Sequence, residues 1–355
     1  MGGRIPVEFA PMKRLQLACV AFLLCLTIVP VAGQRYAARR EGDIVQLTDT
    51  ATDTRVSIAP SIGNIAFRMT VKGHDVLRWP HADMAAFKAN PNQTGVPFMG
   101  PWINRLDEQA FYANGKRYPF DMTLGNIRGT IPIHGFLTST SEWRLVSVDA
   151  GRNGATVTSR LEFFRQPSWM KQWPFAHAIE MTHVLRDGVL EVMTTVTNMS
   201  AEPMPVSIGF HPYFQLTDSP RNDWTISIGA RTHLKLTENK LPTGETEPIG
   251  VPYTGGMPLR DYDIDDGFTD LVRDAQGRAT MSVIGKVQRL DVQFGPNYRA
   301  SVVWAPKPQN FICFEPMAAI TNALNLAHKG IYRELQSIPP RGIWRESFWI
   351  RPAGF

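Results

Sequence analysis

Asp187-Gly188-Val189-Leu190-Glu191-Val192-Met193-Thr194-Thr195-Val196 sets the fold class of this chain. Leu190, Val192, Thr194 and Val196 recur with period two, so in an extended chain they share one face. Asp187-Gly188, the dipeptide preferred in two-residue hairpin loops, joins this run to Thr182-His183-Val184-Leu185, because glycine tolerates positive φ. Asn114-Gly115, Asn153-Gly154 and Gln276-Gly277 repeat the theme between other short alternating runs from Val45 onward. Only residues 317–326, after Pro316, offer a helical candidate, as one short helix or a loop. The expectation is an all-β chain built as a large antiparallel β-sandwich. The 28 Gly, 27 Pro, 9 Trp, 8 Tyr and 19 Phe point the same way, and 355 residues at 43% hydrophobic can bury a large core. No repeat, low-complexity tract or linker marks an internal boundary, so residues 34–355 are expected to form one catalytic domain, with two sandwiches in tandem as the alternative.

The N-terminus reads differently. Lys13 and Arg14 precede an apolar run over residues 15–31, and Val31-Ala32-Gly33 supplies the small residues of a signal-peptidase site. Residues 1–33 are expected to be a secretory signal, which places the mature protein in a periplasm or outside the cell. The competing reading is a membrane anchor, for which a run containing Pro30 is short. With cleavage no stable membrane span remains. The formal charge of +5 comes from 37 basic and 32 acidic residues, and loss of Arg4, Glu8, Lys13 and Arg14 lowers it further, so nucleic acid is not an expected partner. Cys19 and Cys25 would leave with the signal, and Cys313 would be a lone thiol of the mature chain.

Most familiar catalytic signatures are missing from the sequence: there is no glycine-rich phosphate loop, Cys-x-x-Cys, His-Glu-x-x-His or Gly-x-Ser-x-Gly. His177 and His183 do not have a recurrent metal-ligand spacing, so neither a catalytic metal nor another cofactor is expected. What remains is a set of polar residues inside apolar, aromatic strings, where each must be satisfied structurally or used. Asn104-Arg105 closes Val96-Pro97-Phe98-Met99-Gly100-Pro101-Trp102-Ile103; His134 lies in Ile131-Pro132-Ile133-His134-Gly135-Phe136; His211 lies in Ile208-Gly209-Phe210-His211-Pro212-Tyr213-Phe214; Glu315 ends Phe311-Ile312-Cys313-Phe314. Each alone fits a structural role, and four in one chain favour a site.

In order along the chain these motifs, with Tyr118 after Asn114-Gly115, Trp173-Pro174-Phe175, a Thr243-Gly244-Glu245 turn, Asp265-Asp266-Gly267-Phe268 and Glu315-Pro316, resemble the aldose 1-epimerase family, the galactose mutarotases. The resemblance spans essentially all of residues 34–355. It implies an open sugar cleft in a β-sandwich and a small-molecule aldose as substrate. Glu315 would be general base and His211 general acid, His134, Arg105 and Asn104 would hold the sugar, and Asp265, or its neighbour Asp266, would take further hydroxyls. Gln215-Leu216 after Phe214, where galactose-type members tend to have Asn-Leu, touches sugar preference rather than reaction type.

The chemistry asks for little. Interconverting α and β anomers removes the proton of the anomeric hydroxyl while a proton reaches the ring oxygen; the ring opens, the aldehyde rotates and the ring recloses. One acid and one base suffice. At neutral pH an imidazolium needs help, and a neighbouring carboxylate is expected to raise the His211 pKa. If residues 311–315 are extended, Phe311, Cys313 and Glu315 share one side, so Cys313 should sit beside the base. Trp102, Trp304 and Phe268 are candidates to pack on the sugar. Two other functions compete: a glycoside hydrolase pairing Glu315 with Asp265 or Asp266, and a non-catalytic sugar-binding sandwich. Within the epimerase reading, a phosphorylated sugar would need basic groups, to which Arg105 and Arg128 could contribute.

Overall fold

The Val189–Asn198 strand pairs with His177–Arg186 in the register Leu185 to Leu190 and Arg186 to Val189, leaving Asp187 and Gly188 as a two-residue loop. Both loop residues have positive φ, 52° and 73°, the geometry that matches the twist of a hairpin. Leu190, Val192, Thr194 and Val196 are buried as the alternation requires, each of the three aliphatics contributing roughly 1.5–3 kcal/mol. In this computed structural model, which describes residues 1–3 and 34–355 except 124, 126, 251, 252, 254 and 255, the hairpin lies inside a nine-stranded antiparallel sheet. The expected signal segment, beyond its first three residues, lies outside the described residues. Among the described residues no helix is long and apolar enough to cross a membrane.

A seven-stranded sheet carries the site. Its order is Pro242–Pro248, Ala230–Leu236, Ile264–Leu271, Ala300–Ala305, Cys313–Met317, Gly209–Phe210 and Phe98–Met99. A five-stranded sheet is built from residues 36–75 in chain order. One apolar core takes side chains from all three: Val45 and Val56 from the five-stranded sheet, Val192 and Phe348 from the nine-stranded, Phe210 and Phe314 from the seven-stranded. The architecture is the expected antiparallel β-sandwich.

Three local expectations are corrected. Thr243-Gly244-Glu245 is not a turn; it lies in the exposed strand Pro242–Pro248, where Gly244 at φ 97° accommodates the irregular pairing with Ala230–Leu236. The loop expected at Asn153-Gly154 is Arg152-Asn153, because Gly154 already pairs with Gly151. Residues 317–326 divide, Met317 ending a strand and the helix running over Ala323–His328. The strand continues through Pro316, which sits opposite Ser301.

Candidate active site

Strand register brings His211 and Glu315 together. Gly209 pairs with Met317 and Phe214 with Ile312, and the same antiparallel register puts His211 opposite Glu315. His211 Nε2 lies 3.3 Å from Glu315 Oε1. On its other side the backbone of this segment is held by residues 95–97: the His211 N–H donates to the Pro97 carbonyl at 3.0 Å and the Tyr213 N–H to the Gly95 carbonyl at 2.8 Å.

The pleat selects the remaining groups. Asp265 pairs with Trp304 and Trp304 with Cys313, so these three, with Glu315 two residues on, project from one face. Asp266 projects from the other, where it is 3.4 Å from His233 Nε2 and accepts from the Tyr253 hydroxyl at 3.2 Å. Asp266 is thus kept off the cleft face by the two-residue period, and Asp265 is the one of the two aspartates that lines the cleft. Arg105 Nη2 lies 3.8 Å from Asp265 Oδ2 and Nη1 donates to Asn104 Oδ1 at 2.9 Å.

Asn104-Arg105 and His134 are set side by side by a second contact. The His134 N–H donates to the Asn104 carbonyl at 2.9 Å, Arg105 bridges to Ile133, and Gly100 bridges to Gly135. Asn104 and His134 both hold left-handed backbone, φ 44° and 60°. Such strain in non-glycine residues persists where surrounding contacts impose it, and it concentrates at sites that use it. The His134 and His211 rings meet edge to face with centroids 5.3 Å apart.

An open cleft of about 140 Å³ is lined by all six expected residues, Asn104, Arg105, His134, His211, Asp265 and Glu315, together with Tyr213, Trp304 and Arg128. His134 Nδ1, His211 Nδ1 and Glu315 Oε2 are buried without a protein hydrogen-bond partner, which suits a ligand rich in hydroxyls. Tyr213 was not singled out from the sequence; its ring stacks on His211 at 4.7 Å and 15°. Its signal was the spacing, since residues 211 and 213 of an extended segment share a face. Trp304 presents its edge to His211 at 5.7 Å, whereas Trp102 and Phe268 are core side chains. Cys313 is buried with Tyr213 and Phe311 against Trp304, on the face of Glu315 as the alternation predicts, and burial pushes its thiol well up.

Electrostatics differ from the expected imidazolium. Burial pushes the Glu315 carboxyl well above its ordinary range, Asp265 adding to the shift and Arg105 opposing it. Burial likewise pushes His211 down, to about 4, and Arg105 contributes. The carboxylate neighbour does not raise the His211 pKa, because the loss of water around both groups outweighs their attraction. His134 is held well below its ordinary value by burial, His211 and Arg105, and is neutral. Among the described residues no group of three or more His, Cys, Asp or Glu is placed to hold a metal ion.

A family model for aldose 1-epimerase matches residues 45–350. The chain belongs to the aldose 1-epimerase family. It is therefore an isomerase of the epimerase class acting on carbohydrate. Among solved structures, a galactose mutarotase-like protein from Clostridium acetobutylicum superimposes with a TM-score of 0.79 at 22% identity, over 90% of this chain and 98% of its own. A galactose 1-epimerase from Lactobacillus acidophilus NCFM gives 0.69 at 14%, over 90% and 98%. The GalM/aldose epimerase homologue from C. elegans gives 0.68 at 15%, over 85% and 96%. At these identities the likeness is one of fold, and it matches the β-sandwich described above.

Proposed function

We propose that this epimerase interconverts the α and β anomers of a free aldohexose, with Glu315 as general base on the anomeric hydroxyl and His211 as general acid at the ring oxygen. The observation that carries the reading is the His211–Glu315 contact of 3.3 Å in the cleft. Moving one proton across that contact converts a neutral pair into carboxylate and imidazolium without changing the charge of the site. The pair then accepts the hydroxyl proton on one side of the sugar and delivers a proton on the other, and the reverse transfers reclose the ring. Arg105, Asn104, His134 and Asp265 hold the remaining hydroxyls, and Trp304 offers an aromatic wall for sugar C–H groups.

Contact of Glu315 with an imidazole favours this reading over a glycoside hydrolase, since Asp265 is engaged with Arg105 rather than poised alone as a second carboxylate. Export, expected from residues 13–33, would keep the enzyme away from sugar phosphates and supports a free sugar. Relaxation of the optical rotation of fresh α-glucose and α-galactose, with glucose 6-phosphate alongside, tests the assignment. Glu315→Gln and His211→Asn are each expected to lower kcat by about 10²- to 10⁴-fold while the fold persists. Wild-type rates in either variant, or a preference for the phosphorylated sugar, would contradict it.

A further inference from the structure

The cleft has a neighbour. A hollow of about 250 Å³ shares the His134, His211 and Tyr213 side chains with it and is otherwise bounded by residues outside the proposed chemistry, among them Asn92, Gln93, Thr138 and Ser139 above an apolar floor with Ile65 and Met99. Its rim is fastened to the backbone that holds the acid. Residues 95–97 accept the His211 and Tyr213 N–H groups. Just before them, Arg78 Nη1 donates to the Gln93 carbonyl at 2.7 Å, and buried Thr94 meets His81 Nε2 at 2.6 Å and bonds the Asn92 carbonyl at 3.1 Å. Asn92, Gln93 and Ser139 are exposed, and among the described residues no protein hydrogen bond engages their side-chain amides and hydroxyl.

No Lys, Arg, Asp or Glu lines this hollow. A charged group entering it would lose water without gaining a counter-ion, whereas free amides, hydroxyls and an apolar floor suit a neutral polyhydroxyl group. Orientation follows from the proposed function, on which this inference rests. With Glu315 at the anomeric hydroxyl and His211 at the ring oxygen, C5 and C6 lie beyond the ring oxygen from the anomeric carbon, while the other ring hydroxyls face Arg105 and Asp265. A group carried on the oxygen of C6 therefore points at the shared wall. We propose that the hollow is a subsite for the second sugar of a 6-O-glycosylated aldohexose, so that the enzyme takes neutral 1→6-linked disaccharides through their reducing end.

The test compares glucose, melibiose (1→6), maltose (1→4) and glucose 6-phosphate on the full chain, by calorimetric binding and by relaxation of optical rotation. Two or three added hydrogen bonds predict Kd and KM for melibiose about tenfold below those for glucose and maltose, with glucose 6-phosphate weaker than melibiose. In the Asn92→Ala/Gln93→Ala variant the melibiose-to-glucose ratio of kcat/KM is expected to fall about tenfold; the ratio is insensitive to any loss of folded protein. Melibiose no better than maltose, glucose 6-phosphate better than melibiose, or an unchanged ratio in the variant would overturn the subsite. Tighter melibiose binding without turnover of any sugar would uphold the subsite and overturn the epimerase reading, and turnover of glucose without a melibiose preference would do the reverse.

Discussion

At the residue scale the site is governed by burial. Glu315 is 1% exposed and its partner imidazole 12%, so each resists charge, and the pair shares one proton across its most useful pH range. Below that range the pair gains a second proton and lacks a base; above it the pair loses its proton and lacks an acid. A bell-shaped kcat/KM profile is expected, with its acid limb near pH 4 from His211 and its alkaline limb set by the raised Glu315 carboxyl. Measurement of kcat/KM from pH 3.5 to 9 checks this, and a rate still rising below pH 4 would contradict it. The two adjacent aspartates separate cleanly by face. Asp265→Asn is expected to raise KM about tenfold, through loss of a charged hydrogen-bond acceptor and of the partner of Arg105. Asp266→Asn is expected to leave KM within twofold and lower stability by about 1 kcal/mol, through His233 and Tyr253. Steady-state kinetics beside urea unfolding distinguishes the two, and equal kinetic defects would place Asp266 in the cleft.

Among the elements, the loops that meet at Gly100 and Gly135 aim His134 and Asn104-Arg105. Gly135 has φ 61°, and a Cβ there would lie 2.0 Å from the Gly100 carbonyl oxygen. Gly135→Ala must therefore move backbone, with an expected cost of about 2–4 kcal/mol and at least a tenfold fall in kcat/KM as His134 shifts. Gly115, at a hairpin tip with φ 74° and nothing within 4 Å of a Cβ, is the control, and Gly115→Ala is expected to cost about 1–2 kcal/mol with kinetics unchanged. Thermal unfolding and glucose kinetics on both variants check the contrast. The hairpins were legible because Asp187-Gly188 and Asn114-Gly115 carry their turn chemistry in two consecutive residues. Thr243-Gly244-Glu245 was not, since a glycine with positive φ serves an irregular strand pairing as readily as a turn. Arg221 gave no signal either: it is buried and donates to the carbonyls of Leu259, Tyr262 and Ala305, partners scattered along the chain.

For the whole molecule, the large core imposes a pH dependence on stability away from the site. His177 and His183 are buried in one strand, and burial pushes both down to about 4. Unfolded, each titrates near ~6.5. Between these values the unfolded chain binds protons that the folded one refuses, so their contribution is complete above about pH 6.5 and is lost as pH falls towards 4. The loss is about 3 kcal/mol per histidine at most. Urea unfolding at pH 7, 5.5 and 4 should show the decline, and His183→Gln should remove about half of it; an unchanged slope would assign the acid sensitivity elsewhere.

The amino-acid sequence by itself determined whatever depends on neighbours one or two residues apart: the alternation of apolar residues, the two-residue hairpins, the shared face of Cys313 and Glu315, and the ordered motifs that point to the epimerase family. Tertiary structure alone decided what depends on distant segments meeting. The register that sets His211 opposite Glu315, the face that admits Asp265 and excludes Asp266, and the loop contact that aims His134 join residues far apart in the chain, where local pattern has no reach. Burial decided the rest. How protons divide between His211 and Glu315, and why a chargeless hollow adjoins them, follow from how much water the assembled sheets exclude, a property of the packed molecule.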